Sequence, residues 1–493
     1  MVEAHATPAT PFFPLTGLHK YIAIFLVVLS WILVHKWSRL RKQKGPRSWP
    51  VVGATMEQLR NYHRMHDWLV EYLSKHRTVT VDMPFTSYTY IADPVNVEHV
   101  LKTNFTNYPK GDVYRSYMDV LLGDGIFNAD GELWRKQRKT ASFEFASKNL
   151  RDFSAIVGFG VEIGTLSPDL PENSFAQAFD AANIIVTLRF IDPLWRLKRF
   201  FHVGSEALLE QSIKLVDEFT YSVIRRRKAE IVEARASGKQ EKLGEAGEES
   251  GGLGDDKSLR DVVLNFVIAG RDTTATTLSW FTYMAMTHPD VGEKLRRELC
   301  AFEAERAREE GVALVPVAGA GDDDDVAFAA RVAQFASLLS YDSLGKLVYL
   351  HACVTETLRL YPAVPQDPKG ILEDDVLPDG TKVRAGGMVT YVPYSMGRME
   401  YNWGPDAASF RPERWINDDG AFRNASPFKF TAFQAGPRIC LGKDSAYLQM
   451  KMALAILCRF YRFQLLEGHP VQYRMMTILS MAHGLKVRVS RAV

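Results

Sequence analysis

The chain has 493 residues, 46% of them hydrophobic and 24% charged, with a formal net charge of +2. This is a globular composition with enough apolar material for a large core, and its near-neutral balance gives no case for a nucleic-acid or polyacid partner. Four cysteines (Cys300, Cys353, Cys440 and Cys458) are too few for a disulfide framework, so the bulk of the chain is expected in a reducing compartment.

The first element is an apolar run. Tyr21 to Val34 reads YIAIFLVVLSWILV, with Ser30 its only clearly polar residue. Extended over Gly17 to Trp37 it is about long enough to span a bilayer, with Lys20 and Lys36 reaching out at the ends. A cleaved signal peptide is the competing reading, but no small-x-small site follows. Instead come Lys36, Arg39, Arg41, Lys42, Lys44 and Arg47, which put everything C-terminal to the run on the cytoplasmic side. Residues 1–37 therefore read as a membrane anchor, 38–55 as a basic, proline-rich linker, and 56–493 as the main domain.

The main domain opens with a helix (Met56 to His76) and two strands, Thr78 to Met83 and Ser87 to Ile91, that end at Asp93-Pro94. Val95 to Thr103 reads as a helix and Asn104 to Gly125 as loop-rich. Gly131 to Ser147 is a strong helix that puts Trp134 and Arg138 on one face. Phe190 to His202 mixes aromatics with Arg196, Lys198 and Arg199, which leaves a plain surface helix and a membrane-interface contact both open. Ser205 to Ala236 is a long amphipathic helix.

Ser258 to His288 predicts a second long helix, with Ser258 and Asp261 as a capping-box-like start and Pro289 as its stop. At roughly 1.5 Å per residue it is on the order of 45 Å long, enough to cross a domain. Its middle reads Ala269-Gly270-Arg271-Asp272-Thr273-Thr274. Gly270 there costs about 1 kcal/mol relative to Ala, which calls for a reason. Thr273 can bond the carbonyl of Ala269 and open the helix ladder into a polar notch. Ala301 to Arg331 is charged and of low complexity, and reads as a solvated loop. Ser343 to Leu360 is a helix carrying Glu356 and Arg359 three apart. Residues 371–397 are the main β part, with a turn at Pro378-Asp379-Gly380. Ile478 to Met481 reads as a hairpin tip and Leu485 to Val489 as a strand.

The stretch Phe433-Gln434-Ala435-Gly436-Pro437-Arg438-Ile439-Cys440-Leu441-Gly442 reads as a loop presenting one thiolate to a metal. Gly436 and Gly442 leave room for a flat ligand close to the backbone. Arg438 can hold a carboxylate, and a cation and backbone N–H groups lower a thiol pKa.

Phe433-x-x-Gly436-x-Arg438-x-Cys440-x-Gly442 resembles the haem-binding signature of the cytochrome P-450 superfamily. The resemblance implies a mainly α fold with a smaller β part, preceded here by one N-terminal transmembrane helix. It implies haem b, with Cys440 as the iron ligand among Phe433, Gly436, Arg438 and Gly442. It implies Trp134, Arg138 and Lys369 at the haem propionates, and Asp272 and Thr273 as the oxygen-activating pair. Glu356, Arg359 and the Arg414 of Pro412-Glu413-Arg414-Trp415 would form a structural network. Ala269, Val364, Pro365 and Leu479 would line the substrate pocket.

The implied reaction takes dioxygen, two protons and NADPH-derived electrons delivered by an NADPH–cytochrome P-450 reductase. The implied setting is the endoplasmic reticulum membrane, single-pass, with a monomeric catalytic domain facing the cytoplasm. Phe430 to Met452 and Trp134 to Asn149 look like the plant clan of long-chain fatty-acid hydroxylases, closest to the branch making ω-hydroxy acids for pollen-wall sporopollenin and anther cutin. Alternatives are another lipid substrate, such as a sterol or terpenoid, and a hydroperoxide isomerase, which works without reductase and usually lacks the acid–Thr pair. The chain departs from the family near 149–157 and 239–256, where helices are missing, so an inactive, haem-deficient product of a shortened reading frame is a third possibility.

Overall fold

The computed structural model describes residues 15–40, 44–84, 86–144, 174–236, 255–314 and 324–492. The two shortened stretches, including Val157 to Val161, lie almost wholly outside the described residues. Helices dominate, and one four-stranded sheet and two two-stranded sheets make up the β part. In the larger sheet, Thr78–Asp82 pairs antiparallel with Ser87–Ile91, which runs parallel to Met388–Tyr391. Asp367–Gly370 closes the other edge antiparallel to Met388–Tyr391. The sheet therefore brings Tyr88 to Ile91, in the N-terminal third of the chain, against residues 300 positions further on. The Pro378-Asp379-Gly380 turn forms, with Gly380 at φ +84° and its N–H donating to Leu377 O at 2.8 Å.

The central helix is continuous but not uniform. Asp256–Val267 is α-helical, Ile268–Asp272 is a π-turn, and Thr273–Thr287 returns to α. Its start differs from the capping box read from the sequence. Asp255 is the N-cap, accepting from Ser258 N at 2.6 Å. Asp261 is buried and accepts from Asp124 N at 2.9 Å and from Arg260 at 2.9 Å. It serves tertiary packing, because a carboxylate one turn into the helix faces the core and must find donors there.

One core lies on the sheet side of this helix, with Leu69, Val79, Ile91, Met118, Phe179 and Leu264. A second core, with Phe281, Leu295, Phe335, Leu350, Leu454 and Phe460, lies on the other side.

Several local expectations are corrected. The helix expected over Met56 to His76 breaks into Thr55–Arg60, a 3₁₀ turn at Tyr62–Arg64, and Met65–Leu73. Asn61 causes the break: its Nδ2 donates to Glu57 O at 2.9 Å and its Oδ1 accepts from Arg64 at 3.0 Å. The loop-rich region contains a helix, Gly111–Leu122, which buries Tyr114, Tyr117, Met118, Leu121 and Leu122 at helical spacing.

The supposed solvated insertion at 301–331 is largely helical, within Pro289–Glu310 and Asp324–Leu338. Glu303, only 2% exposed, pairs with Arg331 and with Arg459 at 2.8 Å, and Phe328 and Phe335 pack on Phe460. Glu305, Arg308, Glu309 and Glu310 lie on the outer face of an amphipathic helix whose inner face is apolar. The helix expected over Ser343 to Leu360 is two, Tyr341–Gly345 and Val348–Leu360.

The N-terminal run forms a helix, Leu15–Leu40, with Ile24, Phe25, Val27 and Trp31 exposed. Among the described residues no helix is long and apolar enough to cross a membrane.

Candidate haem-thiolate site

The Cys loop leads into the Lys443–Phe460 helix, with Gly442 as its N-cap. Phe433 O accepts from Cys440 N at 2.8 Å, which closes the loop into a ring. Gly436 has φ +66°, and a Cβ there would fall 2.0 Å from Leu101 O. That glycine is required by the neighbouring backbone rather than by a flat ligand, as the sequence had suggested.

Cys440 is exposed as a residue, but its thiol is enclosed by the loop. Crowding by the loop pushes its thiol pKa up, against the opposing Gly442 N–H and Arg138. The lowering expected from the motif is therefore present in kind, and burial outweighs it.

Trp134 is buried between two guanidinium groups, with Arg438 4.5 Å and Arg138 5.9 Å from its ring centroid. Arg138 donates to Ile439 O at 2.7 Å, one residue before the cysteine. Arg438 donates to Ala129 O at 2.9 Å and Asp130 at 2.6 Å, and its Nε is buried with no partner among the described residues.

Lys369 is buried on the edge strand and donates to Asp367 at 2.9 Å. Burial lowers it to about 7, with Asp367 opposing and Lys110 and Arg438 adding to the fall. Sequence reasoning missed Lys110 and Asp367, which pair at 2.5 Å within this cluster. Their signal was faint: an acid and a lysine two apart, Asp367 and Lys369, just before the stretch read as the β part. Tyr391 adds a hydroxyl, donating to Asp367 at 2.8 Å.

On the central helix Thr273 Oγ1 donates to Ala269 O at 2.6 Å, in the π-turn where the ladder is already widened. A Cβ built on Gly270 meets nothing within 4 Å, so this face opens onto free space. Asp272 Oδ1 lies 3.5 Å from Arg271, and its Oδ2 is buried without a partner among the described residues. Burial raises Asp272 to about 6, with Arg271 opposing and Asp180 adding to the rise.

Ala269, Thr273 and Val364 line one cavity with about 1220 Å³ of space not filled by atoms, its opening included. Pro365 and Leu479 do not border it. Pro365 O accepts from Tyr394 N at 3.2 Å, and Leu479 O accepts from Trp280 Nε1 at 2.7 Å. The neighbours Met475, Met476 and Ile478 border it instead.

Behind the loop, Glu356 accepts from Arg359 twice at 2.7 Å, from Trp415 Nε1 at 2.8 Å and from Arg414 at 3.4 Å.

The donor set fits haem b. It offers one thiol on a loop closed by the Cys440 N to Phe433 O bond, an arginine N–H without a partner among the described residues beside Trp134, and a helix face left open at Gly270. A mainly helical fold with these features defines a haem-thiolate monooxygenase. The chain belongs to the cytochrome P450 family, whose model matches residues 44–159, 144–312 and 329–489. It is 63% identical over 523 residues to Cytochrome P450 704B1 of Arabidopsis thaliana, covering 95% of this chain and 99% of the relative. It is 42% identical to Cytochrome P450 704C1 of Pinus taeda, covering 95% and 96%. It is 36% identical to Cytochrome P450 86B1 of Arabidopsis thaliana, covering 96% and 90%. The family uses haem b with dioxygen and electrons from NADPH.

Proposed function

We propose that this chain hydroxylates long-chain fatty acids at or near the ω carbon, drawing electrons from a flavoprotein NADPH reductase. The observation that carries this reading is the cavity. Its wall is largely apolar, with Met65, Met118, Leu122, Phe127, Phe190 and Ile478, and it reaches Ala269 and Thr273. Such a wall accepts a methylene chain by burial alone, at roughly 0.8 kcal/mol per CH₂.

Cys440, Arg438, Arg138, Trp134 and Lys369 would hold the haem, which when bound supplies the chemistry that puts one atom of dioxygen into a C–H bond and releases the other as water. Thr273 would hold a water or dioxygen by hydrogen bond in the notch above Ala269 O. Asp272 would carry protons to it, since its carboxyl binds and releases a proton near neutrality. The apolar wall excludes bulk water from the reacting carbon.

The exposed apolar side chains of the Leu15–Leu40 helix support a single-pass anchor in the endoplasmic reticulum, followed by the basic linker, with a monomeric catalytic domain on the cytoplasmic side. The resemblance of Phe430 to Met452 and Trp134 to Asn149 to the plant fatty-acid hydroxylase clan supports a role in making ω-hydroxy acids for sporopollenin and anther cutin. Incubation with reductase, NADPH and long-chain acids should give terminally hydroxylated products. Only in-chain products, or none from any fatty acid, would overturn the reading.

A second reading has its own observation. The family match restarts between residues 144 and 159, and the 523-residue comparison is longer than this whole chain. Both support the loss of internal segments, which would leave the product unable to hold haem. A strongly red-shifted Soret band in the reduced, carbon-monoxide-treated membranes excludes that outcome, and its absence establishes it.

A further inference from the structure

We propose that Gln58 recognises the polar head of the substrate, its side-chain amide pairing with the uncharged carboxyl group of a long-chain acid. This rests on the fatty-acid reading above.

Gln58 sits on the Thr55–Arg60 helix, has 0% exposure, and borders the same cavity as Ala269 and Thr273. Neither its Nε2 nor its Oε1 has a hydrogen-bond partner among the described residues. A buried amide left unpaired costs roughly 1–3 kcal/mol per group, so such a residue marks a place where a guest is expected.

Several of the other polar groups on the cavity wall are already engaged. Lys110, the cation on the wall, is held by Asp367 at 2.5 Å. Thr187 donates to Asn183 O at 2.9 Å and Thr477 to Asn183 Oδ1 at 2.6 Å. Gln434 Oε1 also lacks a partner, but it belongs to the Cys loop and so to the cofactor side.

The chemistry selects the guest. A carboxylate anion beside a neutral amide, fully buried, would be an unpaired charge and strongly disfavoured. A neutral carboxyl fits both atoms at once: the amide N–H donates to its carbonyl, and its O–H donates to the amide oxygen. The outer residues of the same short helix, Met56 and Leu59, share a surface groove with Val34 and Trp37 of the N-terminal helix. The head group would therefore lie on the side of the anchor, while the tail reaches Thr273.

The test uses the full-length holoenzyme in membranes, with octadecanoic acid and its methyl ester as probes. Binding is read from the ligand-dependent rise in melting temperature and from retention of radiolabelled probe. The wild type should prefer the acid while its carboxyl is protonated, and that preference should fall as pH rises through the ionisation of the free acid. Gln58→Leu should weaken acid binding by roughly tenfold, the loss of about 1.4 kcal/mol, and collapse the acid-to-ester ratio. If the leucine variant fails to retain haem, Gln58→Met, of similar length and volume, supplies the same comparison. A wild type that binds the acid with a ratio unchanged by either substitution overturns the assignment of Gln58 alone. A wild type that binds neither probe overturns the fatty-acid reading and this proposal together.

Discussion

Arg359 Nε and Nη2 each donate at 2.7 Å to a separate oxygen of Glu356, and both side chains are completely buried. The pair closes one turn of the Val348–Leu360 helix. Arg359 also donates to Ala407 O at 2.6 Å and Ser409 O at 2.9 Å, which ties that helix to the segment before Pro412–Trp415. Every charged atom has a partner, so the cost of taking two ions out of water is offset only while both are present.

Glu356→Gln should therefore destabilise the protein by about 3–5 kcal/mol, since it leaves the guanidinium buried against a neutral amide. Urea unfolding together with haem content would show it. A variant as stable as its parent would mean that the pair is dispensable.

Two glycines should behave in opposite ways. Gly436→Ala puts a methyl 2.0 Å from Leu101 O at φ +66°, and should cost several kcal/mol and the integrity of the loop. Gly270→Ala meets no atom within 4 Å and should raise the stability of the haem-free protein by up to about 1 kcal/mol. The same methyl would crowd a cofactor lying on that face, so haem affinity should fall. Melting temperatures of the haem-free and haem-loaded forms separate the two effects.

Asp272 should leave a pH signature. Its carboxyl, raised by burial from 3.8 to about 6, is more easily protonated in the folded state than in the unfolded one. The stability it contributes is complete below about pH 4 and is lost as pH rises through about 6. Asp272→Asn removes that loss and should be more stable than the parent by on the order of 2 kcal/mol at about pH 8, with no gain at about pH 4. The same variant should form less product per NADPH consumed. Denaturant midpoints that shift equally at both pH values would refute the burial account.

Cys440→Ser should keep the fold, because the loop is held by the Cys440 N to Phe433 O bond rather than by the sulfur. It should lose the red-shifted Soret band of the reduced carbon-monoxide form. Retention of that band would remove Cys440 as the ligand.

The charged stretch after residue 301 offers a test of packing. Phe328 is 6% exposed against Phe460 and Tyr461, so Phe328→Ala should cost about 3–5 kcal/mol. Indifference would return the stretch to a solvated loop.

Features that depend on short spacing can be read along the chain. The thiol loop from Phe433 to Gly442, the long helix through Ala269 to Thr274, and the Glu356–Arg359 turn were all legible, because each encodes its geometry within about ten residues. Features that depend on distant partners emerge only from the folded chain. Asp261 looks like a helix cap and is a core carboxylate, because its donors come from residue 124 and its neighbours. Glu303 looks like part of a solvated run and is buried, because Arg331 and Arg459 arrive from two other helices. Asp367 and Lys110 are 257 positions apart, and nothing local to either announces the other. Gln58 is unremarkable in its own helix, and its unpaired amide emerges only when the cavity wall closes around it. A polar residue's role follows from which donors and acceptors reach it once water is excluded, and that is settled by the packing of the whole chain.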